Sequence, residues 1–285
     1  MVDRVYWIFK HWPEFLRSTA YSFTIIFMFF EGYEVITDSN LTLSLCQFSV
    51  LIFAPGILFF LIDGFAFSGY LNRVVSIPNP HSSTEICLKV GDIFKEEGWK
   101  AIGVNDFFDS VVDDDLVASK SLHGLVLSEF WAGNRGDWDD QIKSDLPARA
   151  GRYEHRPKGK SLRYPIGSTA SASANGEKFL FVALGRTDIS NNEASANVES
   201  FVCAVREMVS AARAKCAMET LIIPLMGSGL ARVGAKHSLL VDLIISAILE
   251  ESRKSLVTSE IIIVIHPSNA DAINLKDHKR IWTNG

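Results

Sequence analysis

A glycine-containing stretch at residues 224–234, PLMGSGLARVG, has the residue types that bind phosphate. It lies between two apolar runs, an arrangement typical of the turn that joins a buried strand to a helix. Glycines at such a turn let main-chain N–H groups approach an anion, and the N-terminus of the following helix adds a favourable dipole. An ordinary strand-to-helix turn would explain the same residues equally well.

A second polar stretch, GVNDFFD at residues 103–109, ends another apolar run. Its side chains supply one amide and two carboxylates, which are groups suited to hydrogen bonding or to acid–base chemistry. In layered α/β folds, ligands bind beyond the carboxyl ends of the strands. We therefore expect these two stretches to carry the chemistry of the protein.

The cysteines and histidines do not indicate a metal centre or a disulfide framework. The four cysteines are Cys46, Cys87, Cys203 and Cys216, and no pair has C-x-x-C spacing. The seven histidines are scattered, without an H-x-x-x-H pair. We expect reduced thiols and no metal or cofactor.

After residue 84, predicted strands alternate with predicted helices, and these elements must position the two polar stretches. Short apolar runs alternate with amphipathic segments of helical period, which indicates an α/β layered fold with a largely covered sheet. The predicted strands are 86–90, 100–104, 179–184, 220–224 and 260–266, and the predicted helices are 116–131, 198–212 and 235–255.

The front of the chain is different in composition. No Lys or Arg occurs between Arg17 and Arg73, and two apolar blocks lie in that interval. A bilayer core of about 30 Å needs roughly 20 helical residues. The pattern predicts a two-helix transmembrane hairpin, with helices at about 15–36 and 42–64. A buried pair of globular helices and, for the first block, a cleaved signal peptide are the alternatives.

Charge placement gives the expected orientation. Basic residues flank the hairpin, whereas its connecting turn has Glu31, Glu34 and Asp38 without a basic residue, so both termini are predicted to be cytoplasmic. We expect a multi-pass protein of the cell inner membrane. The predicted organisation is a membrane region at 1–75, a linker at 76–84 and a soluble domain at 85–285. The formal net charge of −5 argues against a general nucleic-acid binder.

A basic segment at residues 149–163 has six Lys and Arg residues in 15 positions. A solvated loop is the simpler interpretation. The alternative is contact with the anionic cytoplasmic leaflet, to which each basic residue near the surface adds about 1 kcal/mol.

Several motifs together resemble the macro domain family. Residues 89–109, KVGDIFKEEGWKAIGVNDFFD, are similar to the family's opening, with a G-D-I turn and an A-I-x-x-N strand end. Residues 221–234 resemble its second phosphate loop, and EIIIVIH at 260–266 resembles its last core strand. The resemblance covers residues 86–275. It implies a three-layer α/β/α fold with a mixed sheet that binds ADP-ribose and its derivatives.

The resemblance also implies roles for individual residues. Asp92 would accept a hydrogen bond from the adenine amine, next to Ile93, and His266 would border the same side. Residues 105–109 would border the distal ribose and its substituent. Residues 227–230 would hold the pyrophosphate through N–H groups, with Arg232 adding charge. The expected ligand-binding set is Asp92, Ile93, Asn105, Asp106, Phe107, Asp109, Met226, Gly227, Ser228, Gly229, Leu230, Arg232 and His266.

The chain departs from catalytic macro domains, which have an N-A-A-N segment leading into glycines. Here the corresponding stretch is NDFFDSVVDDD, with acids and bulky phenylalanines in place of glycines. This puts de-ADP-ribosylating activity in doubt, so no catalytic residue is expected. A pocket lined by Asp106 and Asp109 would instead suit a ligand with a cationic or hydrogen-bonding distal group.

Two spans followed by a divergent macro domain resemble the transmembrane–macro effectors of Thoeris anti-phage systems. The resemblance implies a TIR-domain partner that makes the signal, a histidine conjugate of ADP-ribose, and a homo-oligomer that disrupts the lipid bilayer and kills the cell. Two alternatives remain. One is a membrane-tethered ADP-ribosyl hydrolase in which Asp106 or Asp109 positions water, and the other is an adaptor that binds ADP-ribosylated proteins.

Overall fold

The chain divides into two compact units in the computed structural model, which describes residues 9–38, 43–146, 150–227 and 233–283. The first unit contains Met1–Arg73 together with Asn274–Asp277. The second contains Val74–Ile273 and His278–Gly285.

Two helices and a short π-helical turn form the first unit. Helix α1 is Trp12–Thr37, helix α2 is Leu45–Ile62, and the π-helical turn Asp63–Phe67 continues α2. Ser44 begins α2 with a capping box, because its hydroxyl accepts from the Gln47 N–H while the Gln47 side chain reaches back to Ser44. The apolar helix α2 therefore begins at a defined residue.

Small residues, together with the edge-to-face pairs Phe15–Phe60 and Phe23–Phe48, form the seam between α1 and α2. The Ser22 hydroxyl donates to the Ile52 carbonyl oxygen at 2.9 Å. A Cβ atom on Gly56 would lie 3.0 Å from the Cα atom of Thr19, so the two backbones approach closely at that point. Such small and hydroxyl-bearing residues are typical of helix pairs that cannot rely on water to drive their association.

The structure supports only one of the two predicted membrane spans. Among the described residues, Leu45–Phe67 is the one helix whose length and composition suit a membrane crossing. Helix α1 has 26 residues, but Glu14, Arg17, Glu31 and Glu34 lie within it. These charges shorten its apolar part, so the structure supports the second predicted span and does not support the first.

An eight-stranded mixed sheet forms the centre of the second unit. Its strand order is β1-β2-β10-β9-β3-β7-β6, with β8 paired to β7. Strands β2, β10, β9, β3 and β7 are mutually parallel along this order, whereas β1, β6 and β8 are antiparallel to their neighbours. The sheet strands are β1 (Val74–Ile77), β2 (Glu85–Val90), β3 (Trp99–Asn105), β6 (Thr169–Ala174), β7 (Glu177–Thr187), β8 (Ala194–Ser195), β9 (Leu221–Pro224) and β10 (Glu260–Ile265).

Helices cover both faces of this sheet. Phe179, Phe181 and Ala183 of β7 share one buried cluster with residues of the helices α3 (Leu122–Phe130) and α4 (Arg135–Asp145). The alternate residues Leu180 and Val182 are equally buried on the other face, where α5 (Val198–Lys215) contacts β7 and α6 (His237–Lys254) contacts α5. A strand with both faces covered reads as a continuous apolar run, which is why FLFVAL was recognisable. The predicted three-layer α/β/α fold is confirmed.

The structure differs from the sequence-based elements in several places, including the following three. The predicted linker at 76–84 begins inside β1, because Val75 and Ile77 alternate into the core while β1 pairs with β2. The predicted helix at 116–131 begins only at Leu122, where the Ser121 side chain caps it. The short hairpin of β4 (Arg152–Tyr153) and β5 (Leu162–Arg163) and the helix α4 were not predicted.

The last helix among the described residues is α7 (Leu275–Thr283), whose second half is attached to α6. The Asp242 carboxylate oxygen Oδ1 lies 2.8 Å from His278 Nδ1 and accepts from Trp282 Nε1 at 3.0 Å. A single carboxylate therefore holds two aromatic side chains of the C-terminal helix.

Candidate functional site

The parallel strands bring the predicted site residues to one edge of the sheet. Val90 of β2 pairs with Ile265 of β10, so Asp92 and His266 follow neighbouring positions. Strand β9 lies between β10 and β3, so residues 226–227 emerge between His266 and Asn105. Because all of these strands run in the same direction, their carboxyl ends form a shared rim, as the sequence predicted.

Gly227 has a backbone conformation that favours glycine. Its φ is +76°, and a Cβ atom there would lie 2.8 Å from Val233 Cγ2. The preceding turn is attached to the sheet, because the Leu225 N–H donates to the Val264 carbonyl at 2.9 Å, and Met226 is buried. Ser228, Gly229, Leu230 and Arg232, which the sequence assigns to the pyrophosphate, lie outside the described residues.

Asp92 and His266 each cap a short 3-10 helix at this rim. Asp92 Oδ1 accepts from the Phe94 N–H at 3.1 Å at the start of Ile93–Lys95, and Ile93 is buried. His266 is exposed and its Nδ1 lies 2.8 Å from the Ser268 hydroxyl at the start of Pro267–Ala272. The structure thus places both residues at the same rim, and their contact with an adenine base stays a prediction.

Asn105 organises the turn that follows β3. Its Oδ1 accepts from the main-chain N–H groups of Phe107 at 3.3 Å and Asp109 at 3.1 Å, and its Nδ2 donates to Asp109 Oδ2 at 2.9 Å. We refer to residues 105–109 as the 105–109 turn. Phe107 and Phe108 are both buried, although their positions follow a strand end at the rim.

The two acids of the 105–109 turn have arginine partners from the β4–β5 hairpin, residues 152–163. Arg163 Nε lies 2.8 Å from Asp106 Oδ2, and Arg156 Nη1 lies 2.8 Å from Asp109 Oδ2. Both guanidinium groups stack on the Phe107 ring, at 4.3 Å for Arg156 and 4.7 Å for Arg163. Burial raises the pKa of Asp106, and the hydrogen bond from Thr187 and the charge of Arg163 counter that shift.

These ion pairs bear on the distal wall, by which we mean the 105–109 turn that was predicted to border the distal ribose. The sequence predicted a pocket lined by Asp106 and Asp109, and in the structure the two acids are 2% and 1% exposed. Asp109 accepts hydrogen bonds from Arg156 and from the Lys160 N–H, whereas Asp106 accepts from the Thr187 N–H and forms an ion pair with Arg163. These partners matter because an unpaired buried charge would be costly. Direct contact of either carboxylate with a ligand stays a prediction; in this conformation both serve the fold.

Other basic residues of the segment 149–163 also form ion pairs within the domain. Lys158 lies 2.7 Å from an Asp113 oxygen and 2.6 Å from an Asp115 oxygen, and Lys160 forms an ion pair with Asp139. These pairs favour a structural loop over contact with a lipid leaflet. The sequence contained one signal for the arginine partners of the 105–109 turn: two acids at the end of a buried strand require counter-ions. Nothing in the neighbouring sequence showed which basic residues would be those counter-ions.

The remaining titratable groups offer no second reactive centre in the described residues. No group of three or more His, Cys, Asp or Glu side chains among them has metal-binding geometry. His123 is packed against Trp138 and Phe181, and burial lowers its pKa to about 3, so it is neutral at physiological pH. What the rim offers chemically is a glycine in a left-handed backbone conformation, flanked by capped and internally bonded polar residues.

Comparison with known proteins agrees with this geometry. A family model described as the macro domain of the Thoeris protein ThsA matches residues 86–266. A Thoeris protein ThsA of Bacillus amyloliquefaciens (strain Y2) is 26% identical over 193 residues, which are 66% of this chain. The match spans 62% of the length of that relative.

Solved structures show the same fold. A mutant of the Oceanobacillus iheyensis macrodomain superposes with a TM-score of 0.52 at 12% identity, covering 75% of this chain and all of the other. The Oceanobacillus iheyensis macrodomain solved with ADP has a TM-score of 0.50 at 11% identity, covering 75% of this chain and 98% of the other.

Proposed function

Because the chain belongs to the ThsA macro-domain family of Thoeris defence proteins, we propose that it is a membrane-anchored anti-phage effector. Its macro domain binds an ADP-ribose-derived signal, namely the histidine conjugate of ADP-ribose made by a TIR-domain partner. Binding triggers disruption of the cell inner membrane by a homo-oligomer. The protein binds its ligand without converting it.

The shared rim of parallel strand ends carries the ligand part of this proposal. Gly227, three residues after the end of β9, has a φ of +76°, at the position where the strand-to-helix turn would present main-chain N–H groups to a diphosphate. Asp92 and His266 flank it on the side of β2 and β10. A solved relative of the same fold holds ADP, which contains the adenine, ribose and diphosphate required here.

The first unit supports the membrane part. Leu45–Phe67 has the composition of a spanning helix, and α1 packs on it through the close approach at Ser22 and Gly56 and through the pairs Phe15–Phe60 and Phe23–Phe48. At about 1.5 Å per residue, the 26 residues of α1 also exceed a bilayer core. The proposal includes α1 as a second span, with both termini in the cytoplasm and with Glu31 and Glu34 at the far interface, although these acids shorten its apolar part.

The hydrolase alternative is less well supported by the geometry. A general base needs a free lone pair within hydrogen-bond reach of water. Asp109 instead accepts from Asn105, Arg156 and the Lys160 N–H, and Asp106 accepts from Thr187 while pairing with Arg163. The adaptor alternative uses the same rim and differs only in its outcome at the membrane.

Full-length protein in dye-loaded vesicles tests the proposal. We expect histidine-ADP-ribose to release dye and to be recovered intact. Plain ADP-ribose should bind, and dye release with that ligand would show that the distal group is not required. Cleavage of the ligand would favour the hydrolase, and binding without any leakage would favour the adaptor. Absence of affinity for either nucleotide would contradict the proposal.

A further inference from the structure

The β4–β5 hairpin is bonded directly to the 105–109 turn. The Tyr164 N–H, which directly follows the hairpin, donates to the Asp106 carbonyl at 2.7 Å, and the Lys160 N–H donates to Asp109 Oδ1 at 2.8 Å. Gly159 permits this approach, because its φ is +87° and a Cβ atom there would lie 2.7 Å from Asp109 Oδ1. The hairpin is therefore built to fit closely against the turn.

Arg156 differs from the other basic residues of the hairpin in its burial. Its side chain has no exposed surface, whereas that of Lys158 is 47% exposed. Arg156 Nη1 donates to Asp109 Oδ2 and Nη2 donates to Asn192 Oδ1, each at 2.8 Å. A buried arginine with such fixed partners loses little freedom when a ligand arrives, because its conformation is already set.

The bonds from Arg156 continue into the turn through one oxygen atom. Asp109 Oδ2 accepts from Arg156 and also from Asn105 Nδ2. The Asn105 amide, fixed in this way, directs its Oδ1 to the N–H groups of Phe107 and Asp109. The guanidinium thus orients the carboxylate, the carboxylate orients the amide, and the amide sets the backbone of the turn.

We propose that Arg156 is a positioning residue of the nucleotide site. Through Asp109 and Asn105 it holds the 105–109 turn in a single conformation, so that the wall beside the glycine turn exists before the ligand binds. This inference rests on the proposed function, because it assigns that wall to an ADP-ribose site. Strand β3, which the turn follows, is the neighbour of β9, which Gly227 follows, so the two turns border the same rim.

The experiment compares two variants that each remove one positive charge from the hairpin. Arg156→Met removes the buried guanidinium, and Lys158→Met removes an exposed ammonium group with comparable chain length. Full-length protein in detergent is titrated with ADP-ribose by calorimetry. Hydrogen exchange of the peptide that contains the 105–109 turn is followed by mass spectrometry without ligand, and thermal unfolding is recorded for each variant.

We expect Arg156→Met to speed exchange in the turn and to weaken ADP-ribose binding about tenfold or more, since preorganisation is lost. Lys158→Met should stay within about twofold of the wild type, because exposed pairs contribute little. The double variant Arg156→Met/Asp109→Asn leaves no uncompensated charge, so it serves if the single variant does not fold. It should unfold nearer the wild-type temperature and still show fast exchange and weak binding.

The outcomes separate this inference from the proposed function. A folded Arg156→Met or double variant with wild-type exchange and wild-type affinity would overturn the positioning role. Loss of thermal stability with unchanged affinity would also overturn it, because Arg156 would then be only structural. A wild-type protein without affinity for ADP-ribose would contradict the proposed function, and the exchange measurement would still decide whether Arg156 holds the turn.

Discussion

Gly227 and Phe201 lie so close that a Cβ atom on the glycine would stand 3.2 Å from the phenylalanine ring. Phe201 belongs to the first turns of α5, and Gly227 follows β9. The helix layer therefore presses directly on the turn that begins the proposed phosphate loop. Only a residue without a side chain leaves that turn its φ of +76° and its contact with the ring.

We expect Gly227→Ala to destabilise the protein by about 2–3 kcal/mol, because left-handed strain and steric overlap add. ADP-ribose binding should weaken in the same variant. Gly176→Ala is the matched control, since Gly176 has a φ of +83° but nothing within 4 Å of the point that a Cβ atom would occupy. Gly176→Ala should lower the free energy of unfolding by about 1 kcal/mol and leave ADP-ribose binding unchanged. Urea unfolding and calorimetry measure both quantities, and equal effects in the two variants would contradict the steric argument.

His123 should make folding stability depend on pH. Burial lowers its folded-state pKa to about 3, from a usual value of 6.5, so the unfolded chain binds this proton first as the pH falls. The contribution is present above pH 6.5 and is lost progressively between pH 6.5 and 3. The slope from one such group is at most about 1.4 kcal/mol per pH unit.

His123→Gln removes the titrating group and keeps a polar side chain of similar length. We expect urea unfolding between pH 7.5 and 4.5 to show a smaller loss of stability in this variant than in the wild type. Parallel pH profiles for the two proteins would show that His123 is accessible to protons in the folded state.

Asp242 should control how firmly α7 is attached. Asp242→Ala removes the acceptor shared by His278 and Trp282, and we expect it to cost about 1–3 kcal/mol because two partly buried ring nitrogens lose their partner. Asp242→Asn retains an acceptor oxygen and should cost less. Hydrogen exchange across α7 and the fluorescence of the tryptophans report the change. Equal protection of α7 in all three proteins would contradict this assignment.

Gly56 should determine the packing of the anchor helices. A Cβ atom at Gly56 would lie 3.0 Å from Thr19 Cα, whereas Gly32 in α1 has nothing within 4 Å. Gly56→Leu should therefore separate α1 from α2 and reduce ligand-dependent dye release, while Gly32→Leu should not. Disulfide cross-linking between cysteines introduced at Ser22 and Ile52 measures the separation directly. Cross-linking at the wild-type rate in Gly56→Leu would rule out the seam as described.

The sequence was informative where one strand and its loop carried the whole signal. Runs such as FLFVAL and EIIIVIH are apolar on both faces, so the covered sheet and its rim followed from composition and order. The cap formed by Ser121 was harder to see, because residues 116–120 continue the apolar pattern while Asp113 and Asp114 accept from local N–H groups in turns. Side chains that satisfy the backbone locally compete with a helix, and composition does not show which one wins.

The arginine partners could not be predicted for a different reason. Arg156 is 47 residues from Asp109, and no periodicity links the two. A basic cluster on a short hairpin has the same composition whether it is solvated or buried against acids. Only the fold, by placing β5 next to the end of β3, determines which acids and bases meet.

The paired acids and arginines also affect the long-range electrostatic attraction between this part of the site and a nucleotide. Asp106 and Asp109 pair with the two guanidiniums, and Glu154 also pairs with Arg163, so this cluster leaves no unpaired positive charge for an anion. Attraction for a diphosphate would then come mainly from short-range main-chain dipoles, which added salt screens far less than it screens exposed charges. Under the proposed function, ligand binding would therefore depend on the concentration of the nucleotide and only weakly on ionic strength.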